Sequence, residues 1–417
     1  MIYLDNNATT RPSDGAAQGA HLASTALWGN PSSVHRAGQE VRHAVELARR
    51  ELAALLGADP KELVLTSGGT ESIDLAIRGV LGAAGARARP AGRAGGMDRA
   101  AVPNIITTQL EHAAVRDLAR RLGEQGLAEV RWLPLDARGM ADPAALDGLI
   151  DGGTALVSVQ WANNETGVIQ PVERIGELCR ARGVPFHCDA VQWVGKMPVG
   201  EARQRDSEAA RQGLGKQSSP SLPCDLLTFS AHKFHGPKGV GGLWIRRGVA
   251  LTPQIIGTQE MDRRGGTENV PGIVGAGVAA REAAAWVADP TARARLATLR
   301  DRFEKAVLAR APGSVVNGAG CPRIWNTANI GFPRLEAEAL LLLLSERGVC
   351  ASAGAACSSG SLEPSPVLLA MGIPEPIAHG SLRFSLSRET TEEEIDRAVE
   401  IVAAAATQLG RSSGASL

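Results

Sequence analysis

Between residues 62 and 230, short apolar runs alternate with stretches whose apolar residues recur at helical spacing. Glu62 to Thr66, Asn104 to Thr108, Ala155 to Trp161, Pro185 to His187 and Asp225 to Ser230 read as strands, and Leu243 to Ile245 as a returning strand. Helices fit Arg36 to Leu56, with Gly57 as C-cap, then about Ser72 to Val80, Ala113 to Leu122, Val172 to Arg182 and a short piece after Asp189. This order selects an α/β unit with a mostly parallel sheet, whose functional groups collect at the carboxyl ends of strands. A helical region from about Gly272 to Leu308 leads into a smaller α+β part. There Glu336 to Arg347 and Thr391 to Leu409 fit helices and Ser381 to Ser385 a strand.

With 417 residues the chain has room for two domains. Its formal charge is zero and its basic residues are dispersed, which excludes a nucleic-acid track. The start carries no basic segment followed by an apolar one, so no secretory leader is expected. The densest apolar run, Leu340 to Leu344, is far short of the roughly 18 residues of a membrane span. A soluble, cytoplasmic protein is the expectation. Six cysteines stand without metal-ligand pairing, which argues against a disulfide scaffold and a closed zinc site. Residues 82–101, rich in Ala, Gly and Arg, and the polar residues 201–223 read as surface insertions, and the tail from Arg411 as frayed.

Lys233 lies in Ser230-Ala231-His232-Lys233-Phe234-His235-Gly236, directly after the apolar run Leu226 to Phe229. An amine in a partly dehydrated, electropositive setting loses proton affinity and becomes a nucleophile toward aldehydes. Ser67-Gly68-Gly69-Thr70 joins a strand to a helix, where converging N–H groups suit a phosphate monoester. It equally suits a tight connection. Aldehyde and phosphate together point to pyridoxal 5′-phosphate, with Ser230, His232 and Thr267 as further phosphate donors. Asp189, at a strand end, can keep a pyridine nitrogen protonated or can cap the next helix. His112, after another strand, can lie against a ring and move protons, or can simply cap a helix. Asn163 to Gly167 is a turn signature that also presents Asn164 at a strand end.

Two further positions carry chemistry of their own. Cys357 sits in Ala351-Ser352-Ala353-Gly354-Ala355-Ala356-Cys357-Ser358-Ser359-Gly360, a run of small residues in which a thiol can be reached as a thiolate or simply reside in a loop. Arg383 stands between Leu382 and Phe384 on a strand. Such an arginine needs a partner, which can be a substrate carboxylate or a structural salt bridge.

Taken in order, these blocks resemble the cysteine desulfurases, the NifS/IscS-like branch of the class V aminotransferases. The matching stretches are Tyr3 to Thr10, Gly29 to Ser33, Ser67 to Ser72, Glu111-His112, Asn163 to Gly167, Asp189 to Gln192, Ser230 to Gly239, Arg263 to Asn269, Cys357 to Gly360 and Ser381 to Ser387. The resemblance implies a fold-type I PLP-dependent transferase. Residues 15–270 would form a large α/β domain, and 1–14 with 271–417 a connector and small α+β domain carrying the cysteine loop. It implies Lys233 as the cofactor lysine, Asp189 at the pyridine nitrogen, Gln192 and Asn164 at the ring hydroxyl, and His112 stacked on the ring. Gly69, Thr70, Ser230 and His232 would hold the phosphate, with Thr267 given across a homodimer interface. Asn30, Asn164 and Arg383 would hold the carboxylate of L-cysteine.

Cys357 would take the sulfur as a persulfide and pass it to an acceptor or iron–sulfur scaffold protein. The segment between Arg347 and Pro364 resembles the longer cysteine loop of the branch that uses a separate scaffold. No metal is expected in the cofactor site, with an iron–sulfur contact at Cys357 as the one exception. Neither nucleic acid nor a membrane is expected as a direct partner. The implied activity converts L-cysteine to L-alanine, for iron–sulfur assembly or tRNA thiolation. A selenocysteine lyase, or another class V lyase or aminotransferase, would share the lysine and ring clamp and manage without Cys357. A non-catalytic assembly scaffold would not need the lysine, aspartate, histidine and cysteine together.

Overall fold

The computed structural model describes residues 1–87, 102–136, 138–199, 222–354 and 363–412. The chain begins with β1 (Ile2–Tyr3), α1 (Asp14–Ala26) and α2 (Arg36–Leu56). Gly57 ends α2 in the left-handed conformation, φ 66°, as its C-cap position requires. Then come β2 (Leu63–Thr66), α3 (Gly69–Arg87), β3 (Asn104–Thr107), α4 (Ala113–Glu124), β4 (Glu129–Trp132), α5 (Pro143–Leu149), β5 (Thr154–Gln160), α6 (Val172–Arg182), β6 (Phe186–Asp189), β7 (Leu226–Ser230) and β8 (Gly241–Ile245).

These strands form a seven-stranded sheet in the order β2-β8-β7-β6-β5-β3-β4. Every pairing is parallel except those of β8, which runs antiparallel to β2 and β7. β6 and β7 are buried at every position, and β5 at all but its first, because helices cover both faces of a parallel sheet. Neighbouring strands β5, β6 and β7 end at Gln160, Asp189 and Ser230, so the three side chains open on one sheet edge. This is the sheet the alternating pattern predicts. β4 escaped that reading because its four residues include two charges and are only partly buried.

The smaller part holds β9 (Val315–Val316), β10 (Thr327–Gly331) and β12 (Ser381–Ser385) as an antiparallel sheet in the order β12-β10-β9, while β11 (Val349–Cys350) pairs parallel with β1. Asp5 bridges to Ser385, so the N-terminal strap joins the C-terminal sheet. The helical region after residue 270 is two helices, Val270–Val287 and Pro290–Arg310, broken where Asp289 caps the second one. The first packs against α1 and α2 at very short range. A Cβ on Gly277 would lie 2.7 Å from the Cα of Ala48, and one on Gly275 would lie 2.8 Å from the carbonyl of Ala16.

Two expectations need correction. The short piece after Asp189 is a series of turns through residues 191–196 and not a helix. Helix α3 starts at Gly69 and runs to Arg87, past Val80 and into the stretch read as an insertion from residue 82. The remainder of that stretch (88–101), residues 201–221 and the tail 413–417 lie outside the described residues. Among the described residues no helix is long and apolar enough to cross a membrane.

Glu260, Met261 and Asp262 form a left-handed turn with φ of 49°, 59° and 62°. Three consecutive non-glycine residues in that region are strained and must be held in place. A buried fork holds them: Arg49 donates to both carboxylate oxygens of Glu260 at 2.7 and 2.6 Å, and the Leu65 N–H adds a third bond at 2.7 Å. Removing one partner strands a buried charge, so Arg49→Met should lower the unfolding free energy by roughly 3–5 kcal/mol in urea melts. A loss under about 1 kcal/mol would show that the turn does not depend on the pair.

Candidate active site

The carboxyl ends of β5, β6 and β7 form the floor of a cavity of about 230 Å³, walled by Gly69 and Thr70 at the start of α3, by His112 before α4, and by the Ala8 strap. Gln160, Asn164, Asp189, Gln192, Ser230, His232 and Lys233 also line it. Nine of the thirteen residues singled out from the sequence thus fall into one space, although they span more than 160 positions. They are brought together because parallel strands deliver successive loops to the same edge.

Lys233 ends a single 3-10 turn (Ala231–Lys233) directly after β7. Its Nζ donates to the main-chain carbonyls of Asn7 at 2.6 Å and Ala8 at 2.7 Å. The same turn places His232, whose Nδ1 meets Thr9 Oγ1 at 3.1 Å. Burial, with Lys233 alongside, lowers the His232 pKa to about 4. His112 has both of the roles its position suggests. It lines the cavity, and as N-cap of α4 its Nδ1 accepts from the Ala114 N–H at 3.1 Å. That bond assigns the proton of the neutral ring to Nε2. Burial, then the charges of Lys233 and Arg116, lower its pKa to about 4, so it is neutral at pH 7.

Asp189 likewise does two jobs. One oxygen accepts from the Val191 N–H at 3.0 Å, which organises the turns after it, while the residue faces the cavity. Burial raises its pKa to about 6, against the opposing pull of that N–H and of Lys233. Behind it, burial raises the Glu111 pKa to about 8; the carboxyl accepts from Thr108 Oγ1 at 2.7 Å, and its second oxygen has no partner. A cationic ring nitrogen beside Asp189 would repay the cost of ionising it.

The cavity also presents polar atoms that a ligand can complete. Among the described residues, the buried Ser230 hydroxyl and the buried Asn164 side-chain oxygen Oδ1 have no hydrogen-bond partner. Buried polar atoms of this kind are expensive unless a ligand completes them. Gly69 has no room for a side chain, since a Cβ would stand 2.9 Å from Val191 Cγ2, so the first turn of α3 meets the cavity as bare backbone. Helix start, hydroxyl, carboxylate and amine fit pyridoxal 5′-phosphate in size and chemistry.

Asn164 is placed by the turn its neighbours make. Asn163 Oδ1 accepts the N–H groups of Glu165 and Thr166 at 2.9 and 2.8 Å, and Gly167 closes the turn at φ 76°. Arg383 on β12 is almost fully buried and does not line the cavity wall. One of its amines donates to Asp5 at 2.7 Å, another to the Asn164 main-chain carbonyl at 3.1 Å, and its Nε has no partner among the described residues. The salt-bridge reading of Arg383 therefore holds for the chain alone, and the unpartnered Nε leaves one donor for a further anion.

Asn30 and Thr267 are not in this cavity. Both are exposed, and their loops meet at a second hollow, lined by Pro31, Ser32, Met261 and Glu268 among others. Cys357 lies outside the described residues. Its flanks are described: Ser352 exchanges main-chain hydrogen bonds with Arg383, and Ser365 donates to the buried Glu165 at 2.5 Å. Sequence reasoning overlooked Asn7, Gln160 and Lys196. Lys196, in Trp193-Val194-Gly195-Lys196-Met197, carries the signal that marked Arg383, a lone cation among apolar residues.

The large mostly parallel sheet with a smaller α+β part is the fold-type I architecture of pyridoxal-phosphate enzymes, and solved structures superpose on it. A NifS-like protein superposes with a TM-score of 0.82 at 34% identity, over 98% of this chain and all of that one. DndA from Streptomyces lividans does so with a TM-score of 0.70 at 34% identity, over 91% and 97%. The chain belongs to the class-V aminotransferase family, whose model matches residues 2–204 and 212–398. Pyridoxal 5′-phosphate is its cofactor. Similar proteins include the cysteine desulfurase of Nostoc sp., 45% identical over 403 residues (96% of this chain, 92% of that one). The cysteine desulfurase NifS of Azotobacter vinelandii is 43% identical over 410 residues (98% and 93%).

Asp189 sets a trade between stability and cofactor retention. Because its folded pKa of about 6 exceeds the unfolded value of 3.8, its burial costs nothing well below pH 3.8, costs progressively more as pH rises between those values, and levels off above about 6. Asp189→Asn should therefore melt no lower than wild type without cofactor at pH 7.5. Its dissociation constant for pyridoxal 5′-phosphate should rise roughly 30- to 100-fold, as loss of a charged hydrogen bond implies. Unchanged affinity in a reconstitution titration would remove Asp189 from the cofactor.

Proposed function

We infer that this chain is a pyridoxal-phosphate-dependent cysteine desulfurase, converting L-cysteine to L-alanine and handing on the sulfur. The observation that carries the reading is Lys233 at the β7 end, facing Asp189 and His112 across one cavity. Relatives named cysteine desulfurase that match nearly the whole chain support it.

When bound, the cofactor supplies an electron sink for the pair left behind when the substrate loses its α-proton. The rest is done by this chain. Lys233 Nζ would hold the cofactor through its aldehyde and, as a free amine, would take the substrate Cα proton. Ser230, His232, Thr70 and the Gly69 backbone hold the phosphate. Asp189 pairs with the ring nitrogen, and Gln192 and Asn164 meet the ring oxygen. His112, neutral and protonated on Nε2, would lie against the ring and pass a proton to or from departing groups. Arg383 and Asn164 orient the substrate carboxylate, with Asn30 as a further contact.

Cys357 is assigned as the sulfur acceptor. Its thiolate attacks the substrate sulfur, an S–S bond forms as the Cβ–S bond breaks, and the electron pair of that bond stays with the substrate carbon. The product is a persulfide on the enzyme, which an acceptor protein then discharges. An iron–sulfur scaffold protein is the acceptor we favour, with tRNA thiolation as the other use. We also propose a division into residues 15–270 and residues 1–14 with 271–417.

The working form is proposed to be a homodimer. Exposed Trp28 and Val34 bracket Asn30, and exposed Ile256 lies on the strap paired with the Thr267 loop through the Gly265 N–H and Ile255 carbonyl. Such a surface supports delivery of Thr267, and of the Asn30 loop, to a second copy of the site. The cytoplasm, where thiols stay reduced, is the setting proposed.

Lys233→Ala should abolish both the visible absorbance of the bound cofactor and alanine formation. Cys357→Ser should keep the absorbance and form no persulfide, read by mass spectrometry of peptides after L-cysteine addition. Sulfur mapped to another cysteine, or full desulfurase activity in Cys357→Ser, would overturn the assignment of Cys357.

A further inference from the structure

Beneath the cavity lies a second lysine that no step above uses. Lys196 is 4% exposed, and its Nζ donates to Gln192 Oε1 at 2.6 Å and to Asn7 Oδ1 at 2.9 Å. Its place is fixed from both sides of the main chain: its N–H donates to the Trp193 carbonyl, and its carbonyl accepts from Trp325 Nε1 at 2.9 Å. On the other side, Gln192 Nε2 donates to the Asn7 main-chain carbonyl at 3.0 Å. As an ammonium, a lysine offers only N–H bonds, and a carbonyl only accepts. Turning the Gln192 amide over would set N–H against N–H at the charged Lys196 and oxygen against oxygen at the Asn7 carbonyl, two buried contacts. The Asn7 carbonyl uses one of the two Nε2 hydrogens. The other remains, on a residue that lines the cavity.

We propose that Lys196 is a positioning residue that locks the Gln192 amide so that it turns an N–H, never a carbonyl, toward the ring oxygen of pyridoxal 5′-phosphate. The proposal rests on the reading above that Gln192 meets that oxygen. A donor there stabilises negative charge on the ring oxygen and loosens its hold on the Schiff-base proton, so the bound cofactor deprotonates at lower pH. Burial, with Lys233 and Arg383 as the charged groups acting on it, pushes the Lys196 pKa well below the usual lysine range. The lock is strictest with the ammonium form; the neutral amine has a lone pair that can take one N–H, and the Asn7 main-chain carbonyl, which only accepts, then favours the same Gln192 orientation.

The test is a pH titration of the visible absorbance of holoenzyme, in wild type, Lys196→Met, Gln192→Leu and the double variant. Lys196→Met should raise the midpoint by about one pH unit, and Gln192→Leu by at least as much. In the Gln192→Leu background, Lys196→Met should add nothing. If Lys196→Met leaves the midpoint in place, or its shift persists in that background, Lys196 does not act through Gln192 and the proposal is overturned. If Gln192→Leu itself shifts nothing, Gln192 does not meet the ring oxygen, and it is the underlying placement that fails. Should Lys196→Met not hold the cofactor, Lys196→Gln decides. Its amide can turn either its oxygen or its N–H to Gln192 and so relaxes the lock, raising the midpoint; an unmoved midpoint overturns the proposal.

Discussion

Asn7 is the joint on which the site depends. Its main-chain carbonyl accepts from both Lys233 and Gln192, and its Oδ1 accepts from Lys196 and Asn326. Its amide donates to the Asn164 carbonyl and to Thr327 Oγ1, and its N–H to Ser385 Oγ. One buried asparagine thus ties the strands of the large sheet to β10 and β12 of the small one. A buried amide with all its groups satisfied specifies a geometry, since any shift leaves several polar groups unpaired at once.

That joint explains how ionisable groups share so little water. The basic groups of Lys233, Lys196 and Arg383 are set among the carboxyl groups of Asp189, Glu111, Asp5 and Glu165. Burial raises the Glu111, Asp189 and Glu165 pKa values and lowers that of Lys196, so the site leans toward neutral forms. A ligand with a phosphate at one end and a ring cation at the other supplies what the donors and carboxylates lack. The cavity is better described as one half of a charge arrangement than as a hole of a given size.

Much of this was legible beforehand. The boundaries of α2 and β12 and the course of the parallel strands follow from apolar periodicity and from Gly57. Lys233, Asp189, His112 and Ser230 stand at strand ends, where the topology concentrates function. Other features left no local trace. β4 is too polar to read as a strand, and the turns after Asp189 are shaped by Asp189 itself. The partner of Arg383 is Asp5, 378 residues away, and nothing near either residue announces the other. Asn30 and Thr267 carry the right residue types but lie outside the Lys233 cavity within a single chain.

From sequence alone the candidate chemistry could be read: an amine that can bind an aldehyde, a turn that suits a phosphate, a thiol that can take sulfur, and strands alternating with helices to carry them. Those properties live in residue types and in short spacings, which a linear reading can see. Tertiary structure alone decided that Asn7 joins the two sheets, that Lys196 stands behind Gln192, and that Arg383 already has a carboxylate partner. Each is a contact between segments far apart in the chain, chosen by which polar groups burial leaves to pair, and no local pattern encodes that choice.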